Sequence, residues 1–493
     1  MAARDGGICR IKLPGGILHA AQAHAIADAA ERYAAGLIEL TNRANLQVRG
    51  VRVGQEAALI EVLVKAGLGP DGLVADDLPD ALRDALPEVS PDALAEATSK
   101  AALAAAAADD VRNLMLSPTA GCDPSALFDT TALAADILMR LQIEPRFAAL
   151  SPKFAVLLDG GERLAMLDHP HDVWLAALDH PDGVRFALGL AGCPPVAQRD
   201  EPLPLPATAD ETAQSHDAPT SWQNTCALAT VLPSQVLTLI SALLHTFLDL
   251  AAPEHTRMRH LLATHSTEDI LQHAQRYLDF PLALLRSNGA SLTAWRRAKA
   301  DPALRFGAHR QRVAGMWYVG GQPPLGRLDA TTLHALAALA EAAGGATLRA
   351  TPWQSVLLPD IATHAVPSTL ARLSELGLLC EPTHPLARLI ACAGSSGCAK
   401  GMADTKADAL LLAAQLPPQL PAQVEQVHLS GCPRSCAAAH RAAYTLLAVA
   451  PGRYDLYRRD DNEPGFGQCV AHHLTIDQAA HQLERLARSP LDA

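Results

Sequence analysis

The sequence predicts an α+β protein with a duplicated A-B-A′-B′ order, in which each A is half of a ferredoxin-like sandwich and each B is an α/β domain. Three observations carry that expectation. A strand–helix–strand unit opens the chain. A segment beginning at Pro324 repeats its order of turn, Ala-rich helix, Gly, strand, loop and strand. Fainter echoes link a stretch near Leu114 to one near Leu389. Self-similarity of this kind is the mark of a duplication.

The elements follow in order. Ile8 to Leu13 alternates, with Ile11 and Leu13 on one face and Arg10 and Lys12 on the other, as a half-buried strand does. Pro14-Gly15-Gly16 ends it. Ala20 to Ala35 has helical spacing, Gly36 stops it, and Leu37 to Leu40 starts a second strand. Leu46 and Val48 then share one face of a third strand, with Gln47 and Arg49 on the other. Val53 to Ala66 reads as a helix. The repeat pairs Pro14-Gly-Gly-Ile-Leu-His-Ala with Pro324-Leu-Gly-Arg-Leu-Asp-Ala, Ala35-Gly36-Leu-Ile-Glu with Gly345-Ala-Thr-Leu-Arg, and Gln47-Val48 with Gln354-Ser-Val. A second echo pairs Leu114–Cys122 with Leu389–Cys398, and a third pairs Leu150-Ser-Pro-Lys153 with Leu429-Ser-Gly-Cys432.

The expected domains are residues 1–75 and 306–375 as the two ferredoxin-like halves, 76–305 as the first α/β domain, and 376–493 as the second, cysteine-bearing one. Within the first α/β domain, residues 153–158 read as a strand and 232–250 and 255–279 as helices. From Cys193 to Asn224 the composition turns to Pro, Ala, Thr and Asp, as in Pro202-Leu-Pro-Leu-Pro206, which predicts a mobile linker over residues 193–224. A basic stretch, Trp295-Arg-Arg-Ala-Lys299 and His309-Arg310-Gln-Arg312, reads equally well as a solvated face or a functional one.

Composition narrows the function classes. With 493 residues the chain is long enough for two to four domains, and 49% hydrophobic residues suffice for large cores. A net charge of -12 argues against nucleic acid or an anionic membrane as partner, while leaving room for a local basic cradle around an acidic small molecule. The first residues have no apolar signal core, and no apolar run reaches membrane-spanning length, so a cytoplasmic location is expected. Of ten cysteines, Cys9, Cys122, Cys193, Cys226, Cys380 and Cys469 are scattered without a disulfide framework.

The other four are patterned. Cys392 and Cys398 are spaced C-x5-C, and Cys432 and Cys436 are spaced C-x3-C. Four thiolates suit a cubane iron–sulfur cluster, one per iron. Ala393, Gly394, Ser395, Ser396 and Gly397 are small enough for the backbone to curl around a bulky inorganic core. Zinc is a rival, although its structural cysteine pairs usually sit two to four residues apart. Unrelated buried thiols are the other alternative.

The C-x5-C…C-x3-C pattern resembles the sirohaem-type sulfite and nitrite reductase superfamily, whose four cysteines hold a [4Fe–4S] cluster beside a tetrapyrrole. That resemblance covers most of the chain and implies its duplicated architecture, with both B units as sirohaem-reductase-type α/β domains. Cys436 would then sit nearest the tetrapyrrole. Arg43 in Thr-Asn-Arg-Ala-Asn-Leu-Gln resembles the family's Thr-x-Arg-Gln-x-x-Gln arginine, Arg112 its Arg-Asn arginine, and Lys153 the first lysine of its Pro-Arg-Lys-Phe-Lys motif. The second lysine of that motif is Ala155 here, and the Asn usual between the last two cysteines is Arg434.

Within the superfamily the chain resembles precorrin-3B synthase, through Gly6-Gly-Ile-Cys-Arg-Ile-Lys-Leu-Pro-Gly-Gly16 and Gly36-Leu-Ile-Glu-Leu-Thr-Asn-Arg-Ala-Asn-Leu-Gln-Val-Arg-Gly50. This implies a monooxygenase of cobalamin biosynthesis. It would use dioxygen and an external electron donor, a ferredoxin or an NADH-linked reductase, to hydroxylate precorrin-3A at C20 with γ-lactone formation from the ring-A acetate. A mononuclear non-haem iron is also implied, with His440, His472 and His473 as candidate ligands. Arg10, Lys12, Arg43, Arg49, Arg112 and Lys153 are expected to face one cleft and bind substrate carboxylates, since a guanidinium donates two parallel hydrogen bonds to a carboxylate. The alternative is a sulfite or nitrite reductase with bound sirohaem.

Overall fold

The computed structural model describes residues 2–69, 113–197, 226–284, 295–417, 426–438, 442–460 and 465–488. The chain divides into two compact units, Met1–Val62 with Pro302–Ala493, and Leu63–Asp301. The first ferredoxin-like half carries β1 (Ala2–Ala3), β2 (Gly6–Ile11), β3 (Ile17–His19), the helix Ala20–Tyr33, β4 (Leu37–Leu40) and β5 (Leu46–Val51), followed by the helix Glu56–Lys65. β5 lies between β2 and β4, antiparallel to both. Strand alternation decides which side chains meet. Cys9 faces Val48 on the side covered by the helix, whose Ala23, Ile26, Ala27 and Ala30 are buried. Arg10, Gln47 and Glu39 line up on the opposite side, so the sheet has one apolar and one polar face.

The unit Leu63–Asp301 contains β6 (Leu114–Met115), the helix Thr131–Ile143, β7 (Val156–Asp159), β8 (His171–Leu178), β9 (Arg185–Gly192), β10 (Ala229–Val231), the helices Val236–Leu250 and Thr267–Ala274, and β11 (Ala283–Leu284). β6, β7 and β8 are parallel, and β8, β9, β10 and β11 antiparallel. Every residue of β7 and β8 is buried, as expected of strands covered on both faces. One face packs Val173, Leu175 and Phe186 against Leu239, Leu243 and Phe247. The other gathers Leu157, Trp174 and Ala187. The apolar run that ends at Leu250 is thus a buried helix. Cys193 to Pro195 are buried and Val196 bridges Arg297, although composition predicts linker from Cys193 onward. The prolines there seal the end of β9, because a proline is apolar as well as turn-forming. Residues 198–224 of the expected linker lie outside the described residues.

The second ferredoxin-like half comprises β12 (Gly307–Arg310), β13 (Met316–Gly321), β14 (Arg327–Asp329), the helix Ala330–Ala343, β15 (Thr347–Ala350), β16 (Val356–Ala362) and the helix Val366–Glu375. The two halves exchange a strand: β14 pairs with β4, and β3 pairs with β15. Their helices Ala20–Tyr33 and Ala330–Ala343 pack together, with His24 and His334 ring centroids 5.0 Å apart. The repeat is literal in the backbone. Left-handed φ values recur at Gly15 and Leu325, Gly36 and Ala346, and Ala44 and Gln354, at one constant offset. Gln354 therefore corresponds to Ala44, and the expected match of Gln354 to Gln47 is out of register.

The last α/β domain holds β17 (Leu389–Ala391), a single turn at Gly394–Gly397, the helix Thr405–Gln415, β18 (Val427–Ser430), β19 (Tyr444–Ala450), β20 (Arg453–Arg458), β21 (Gln468–Leu474) and the helix Ile476–Arg488. β17, β18 and β19 are parallel, and β19, β20 and β21 antiparallel, the pattern of β6 to β10. Leu114 pairs with Val156 as Leu389 pairs with Val427. By that register Ser117 stands where Cys392 stands, and Gly161 where Cys432 stands. The echo of Lys153 with Cys432 fails for the same reason: Lys153 precedes its strand, whereas Cys432 follows its own. Among the described residues no helix is long and apolar enough to cross a membrane.

Candidate functional site

Cys392 directly follows β17 and Cys432 lies two residues beyond β18, so both leave the carboxyl ends of adjacent parallel strands, where α/β sheets open to ligands. The loops are drawn tightly together. The Gly431 N–H donates to Cys392 Sγ at 3.2 Å, and Thr405 Oγ1 donates to the Cys392 carbonyl at 2.9 Å. Gly394 has φ +62°, and a Cβ there would lie 2.6 Å from Thr405 N. Any larger residue would push the Cys392–Cys398 loop off the helix that supports it. Cys392, Cys398 and Cys432 are half-buried and Cys436 is exposed.

The four sulfurs converge without touching. Burial raises the Cys436 thiol pKa, the charges of Cys432, Cys392 and Cys398 push it further, and Arg434 pulls the other way. All four are therefore within electrostatic reach of one another. Yet among the described residues the one triad of ligand atoms that falls within 4.8 Å lies elsewhere, at Asp455, Cys469 and His472. A zinc ion with Zn–S bonds of about 2.3 Å would bring its sulfurs to roughly 3.8 Å from each other. A cubane is bulkier and needs a wider quartet. No three of the four sulfurs lie within 4.8 Å of one another, so as they stand they do not form a closed tetrahedral zinc set.

The polar face of the first ferredoxin-like sheet backs this loop. Arg49, 3% exposed, donates to Asp5 through Nε and Nη2 at 2.9 Å each, to Glu39 at 3.3 Å and to the Gly397 carbonyl at 2.9 Å. The expectation that Arg49 binds substrate is corrected accordingly. Its guanidinium is buried and occupied, and it ties the cysteine loop to the sheet. Glu39 also accepts from Gln47 and from Arg327 at 2.8 Å, and lies 3.8 Å from Lys406 Nζ. Burial alone would raise its pKa, but Lys406, Arg49 and Arg327 outweigh it and hold the carboxyl below its usual range. Lys406 donates to the Leu325 carbonyl at 2.7 Å. Burial pulls its pKa down to about 8, against the attraction of Glu39 and Cys392.

The other expected residues fall as follows. Arg43 is half-buried in the turn between β4 and β5, next to Asn42, whose amide donates to the Cys436 carbonyl at 3.3 Å. That hydrogen bond brings the Arg43 turn to the quartet. Arg10 is exposed and Lys12 half-buried. Lys153 is exposed in the other unit, before β7. Arg112 and His440 lie outside the described residues. His472 and His473 sit at the end of β21. Glu39, Asp5, Arg327 and Lys406 were missed in the sequence, where each is a lone charge far from its partners.

The corresponding strand ends in the unit Leu63–Asp301 carry ions instead of a thiol quartet. Arg297 donates to both Asp159 oxygens, at 2.7 and 3.0 Å, and to the Glu162 carbonyl. Glu162 is fully buried, and its carboxyl is pushed up to about 8, first by burial and then by Asp159. Ser117, at the position of Cys392, bonds Thr119 and the Leu164 carbonyl. The basic stretch at Trp295–Lys299 is therefore not all solvated face, since Arg297 is an internal partner.

Two family models match this chain. The "Nitrite/Sulfite reductase ferredoxin-like half domain" matches residues 1–66 and 309–376, and the "Nitrite and sulphite reductase 4Fe-4S domain" matches residues 107–282. Together they cover more than half of the chain. The second falls on the α/β copy that lacks the quartet. Among similar proteins are the chloroplastic ferredoxin–nitrite reductase of Zea mays, 28% identical over 87% of this chain and 67% of its own, and sulfite reductase [ferredoxin] 2 of Mycolicibacterium paratuberculosis, 27% identical over 78% of this chain and 67% of its own. The chain spans about two thirds of the length of the curated relatives it matches. Among solved structures the Mycobacterium tuberculosis NirA protein shares the fold, with a TM-score of 0.68 and 21% identity over 98% of this chain and 80% of that one. These relatives are named as nitrite and sulfite reductases, and they back the reductase alternative better than the cobalamin-pathway expectation.

Proposed function

We propose, for a chain that belongs to the nitrite and sulfite reductase superfamily, that it is a sirohaem-type reductase of nitrite or sulfite. Single electrons would enter from an external donor of the ferredoxin kind, which the names of its relatives mention. Cys392, Cys398, Cys432 and Cys436 would hold a [4Fe–4S] cluster. The observation that carries the proposal is their convergence at the carboxyl ends of two adjacent parallel strands. When bound, the cluster supplies one-electron relay and the tetrapyrrole iron supplies the position at which the oxyanion is reduced.

The residues of this chain have separate tasks. Arg43, in the turn that Asn42 anchors to Cys436, would donate to a tetrapyrrole carboxylate. Arg49 holds the Gly397 end of the cysteine loop. Lys406 and Arg434 place positive charge near the thiolates, which favours their deprotonated, ligating form.

One observation favours a second reading, precorrin-3B synthase. Ala155 stands where the reductases carry their second lysine. It is buried and its N–H donates to Asp172 at 2.9 Å, so the position offers no cation to an inorganic anion. On that reading precorrin-3A is hydroxylated at C20 with dioxygen. The test is anaerobic purification, extraction and counting of iron, sulfide and tetrapyrrole, then assay with reduced ferredoxin. Retained sirohaem with nitrite or sulfite turnover supports the reductase. A cluster without sirohaem, and turnover of precorrin-3A with dioxygen, supports the synthase and overturns the reductase. No iron or sulfide after reconstitution overturns both.

A further inference from the structure

Behind the cysteine loop lies an ion set with more positive than negative charge. Lys406, Arg49 and Arg327 face the carboxylates of Glu39 and Asp5, three cations against two anions. Glu39 is nearest to Arg327, at 2.8 Å, and then to Arg49, at 3.3 Å. Lys406 Nζ stands 3.8 Å off, beyond hydrogen-bond range, and donates instead to the Leu325 carbonyl at 2.7 Å. The arginines therefore take most of the carboxylate's charge, and the ammonium of Lys406 is the cation left over.

Stability gives no reason for that cation. Lys406 is 5% exposed, and burying an ammonium against a neutral carbonyl and a more distant carboxylate costs free energy. It also lies in the first turn of the helix Thr405–Gln415, the end at which the macrodipole favours anions. An apolar side chain of similar length would pack there at lower cost. What the lysine does have is a fixed place beside the quartet. Thr405, the preceding residue, donates to the Cys392 carbonyl, and its Oγ1 lies 3.5 Å from Cys392 Sγ. Leu325 offers its carbonyl from a left-handed turn, φ 52°, with its side chain buried among Leu389, Ala391 and Leu412. The ammonium is thus held between that turn and the loop of Cys392, where it feels the thiolate charge of Cys392.

Reduction adds one negative charge to a cluster, so a cation nearby in a low-dielectric interior favours the reduced form and an anion opposes it. We propose, given the [4Fe–4S] cluster of the proposed function, that Lys406 raises the cluster's reduction potential and Glu39 lowers it. Together the two set how readily the cluster takes an electron from its donor.

The experiment is an anaerobic redox titration of reconstituted full-length protein, read by the electron paramagnetic resonance of the reduced cluster, with iron and sulfide counted in each sample. Lys406→Met should move the midpoint to a more negative potential by at least a tenfold loss in reducibility, about 59 mV for one electron. Lys406→Arg keeps the charge and should recover the midpoint of the unchanged chain. Glu39→Gln should move it to a more positive potential. Charge produces shifts of opposite sign in the two neutral variants, whereas a merely structural role would move both alike or neither. A cluster with an unmoved midpoint in Lys406→Met, or a negative shift in Glu39→Gln, overturns the proposal and leaves the cluster assignment standing. If Lys406→Met fails to hold its cluster, the sign of the shift in Glu39→Gln decides. No iron or sulfide in the unchanged chain overturns the cluster assignment, and this proposal with it.

Discussion

The two α/β domains share a sheet pattern and differ in what stands at the ends of the first two strands. In the domain of residues 376–493, thiols and glycines occupy those ends, and the loops close on Cys392 and Cys432. In the unit Leu63–Asp301, Ser117 and Gly161 take the equivalent positions and Asp159, Arg297 and Glu162 fill the space with a buried ion network. A cluster supplies its own framework, because four covalent bonds to one rigid core tie together the loops that hold it. Without it, the same loop geometry needs charges that satisfy each other internally. One backbone plan thus carries four converging thiols in one copy and a buried ion network in the other.

The difference can be tested from the largest effect down. Cys392→Ser or Cys436→Ser should bring the bound iron and acid-labile sulfide close to zero and abolish turnover, whereas Cys122→Ser, in the other copy, should leave both unchanged. Equal metal content in all three variants would break the comparison. Arg297→Leu leaves the Asp159 carboxylate without its cation and the Glu162 carbonyl without its donor. It should cost about 3–5 kcal/mol, as removal of one partner from a buried ion pair does, and urea denaturation would read it.

Glu162 gives the same network a pH dependence. Its folded pKa, about 8, lies above the ordinary 4.5, so the folded chain keeps a proton that the unfolded chain releases. The stability contribution is full below the unfolded pKa and is lost as pH rises toward 8, by at most about 1.4 kcal/mol per pH unit. Glu162→Gln should flatten that fall in midpoint-against-pH measurements. A slope that persists in the variant would assign the proton to another group.

The two ferredoxin-like halves allow a finer contrast. Arg43 and its repeat counterpart Trp353 stand at the same place in the turn, one half-buried beside the quartet and the other 8% exposed within its half. Arg43→Ala should weaken tetrapyrrole binding by about 1–3 kcal/mol at unchanged stability, measured by equilibrium titration. Trp353→Ala should lower the unfolding midpoint instead.

Much of this was legible in the sequence. The Pro14 and Pro324 turns mark the repeat, and the backbone reproduces it residue for residue through the left-handed positions. The strand from Leu37 to Leu40 and the polar face with Gln47 and Arg49 follow from alternation, which is a local property. The spacing of the four thiols was legible, and the structure brings them together at adjacent strand ends. The role of Arg49 was not, because Asp5, Glu39 and Gly397 reach it from widely separated segments. Arg297 looked like one more surface cation, since its partner Asp159 is equally distant in sequence.

The sequence by itself determined the duplication, the apolar and polar faces of the first sheet, and the spacing of the four patterned cysteines. Each rests on periodicity, on turn chemistry or on ligand type, all of which short stretches of chain carry. Only the tertiary structure decided that β3 and β14 are exchanged between the halves. It alone decided that Arg49 is an internal tie. A bulge in β21 gathers Asp455, Cys469 and His472. Those outcomes depend on burial and on distances between residues far apart in the chain, which no local pattern encodes.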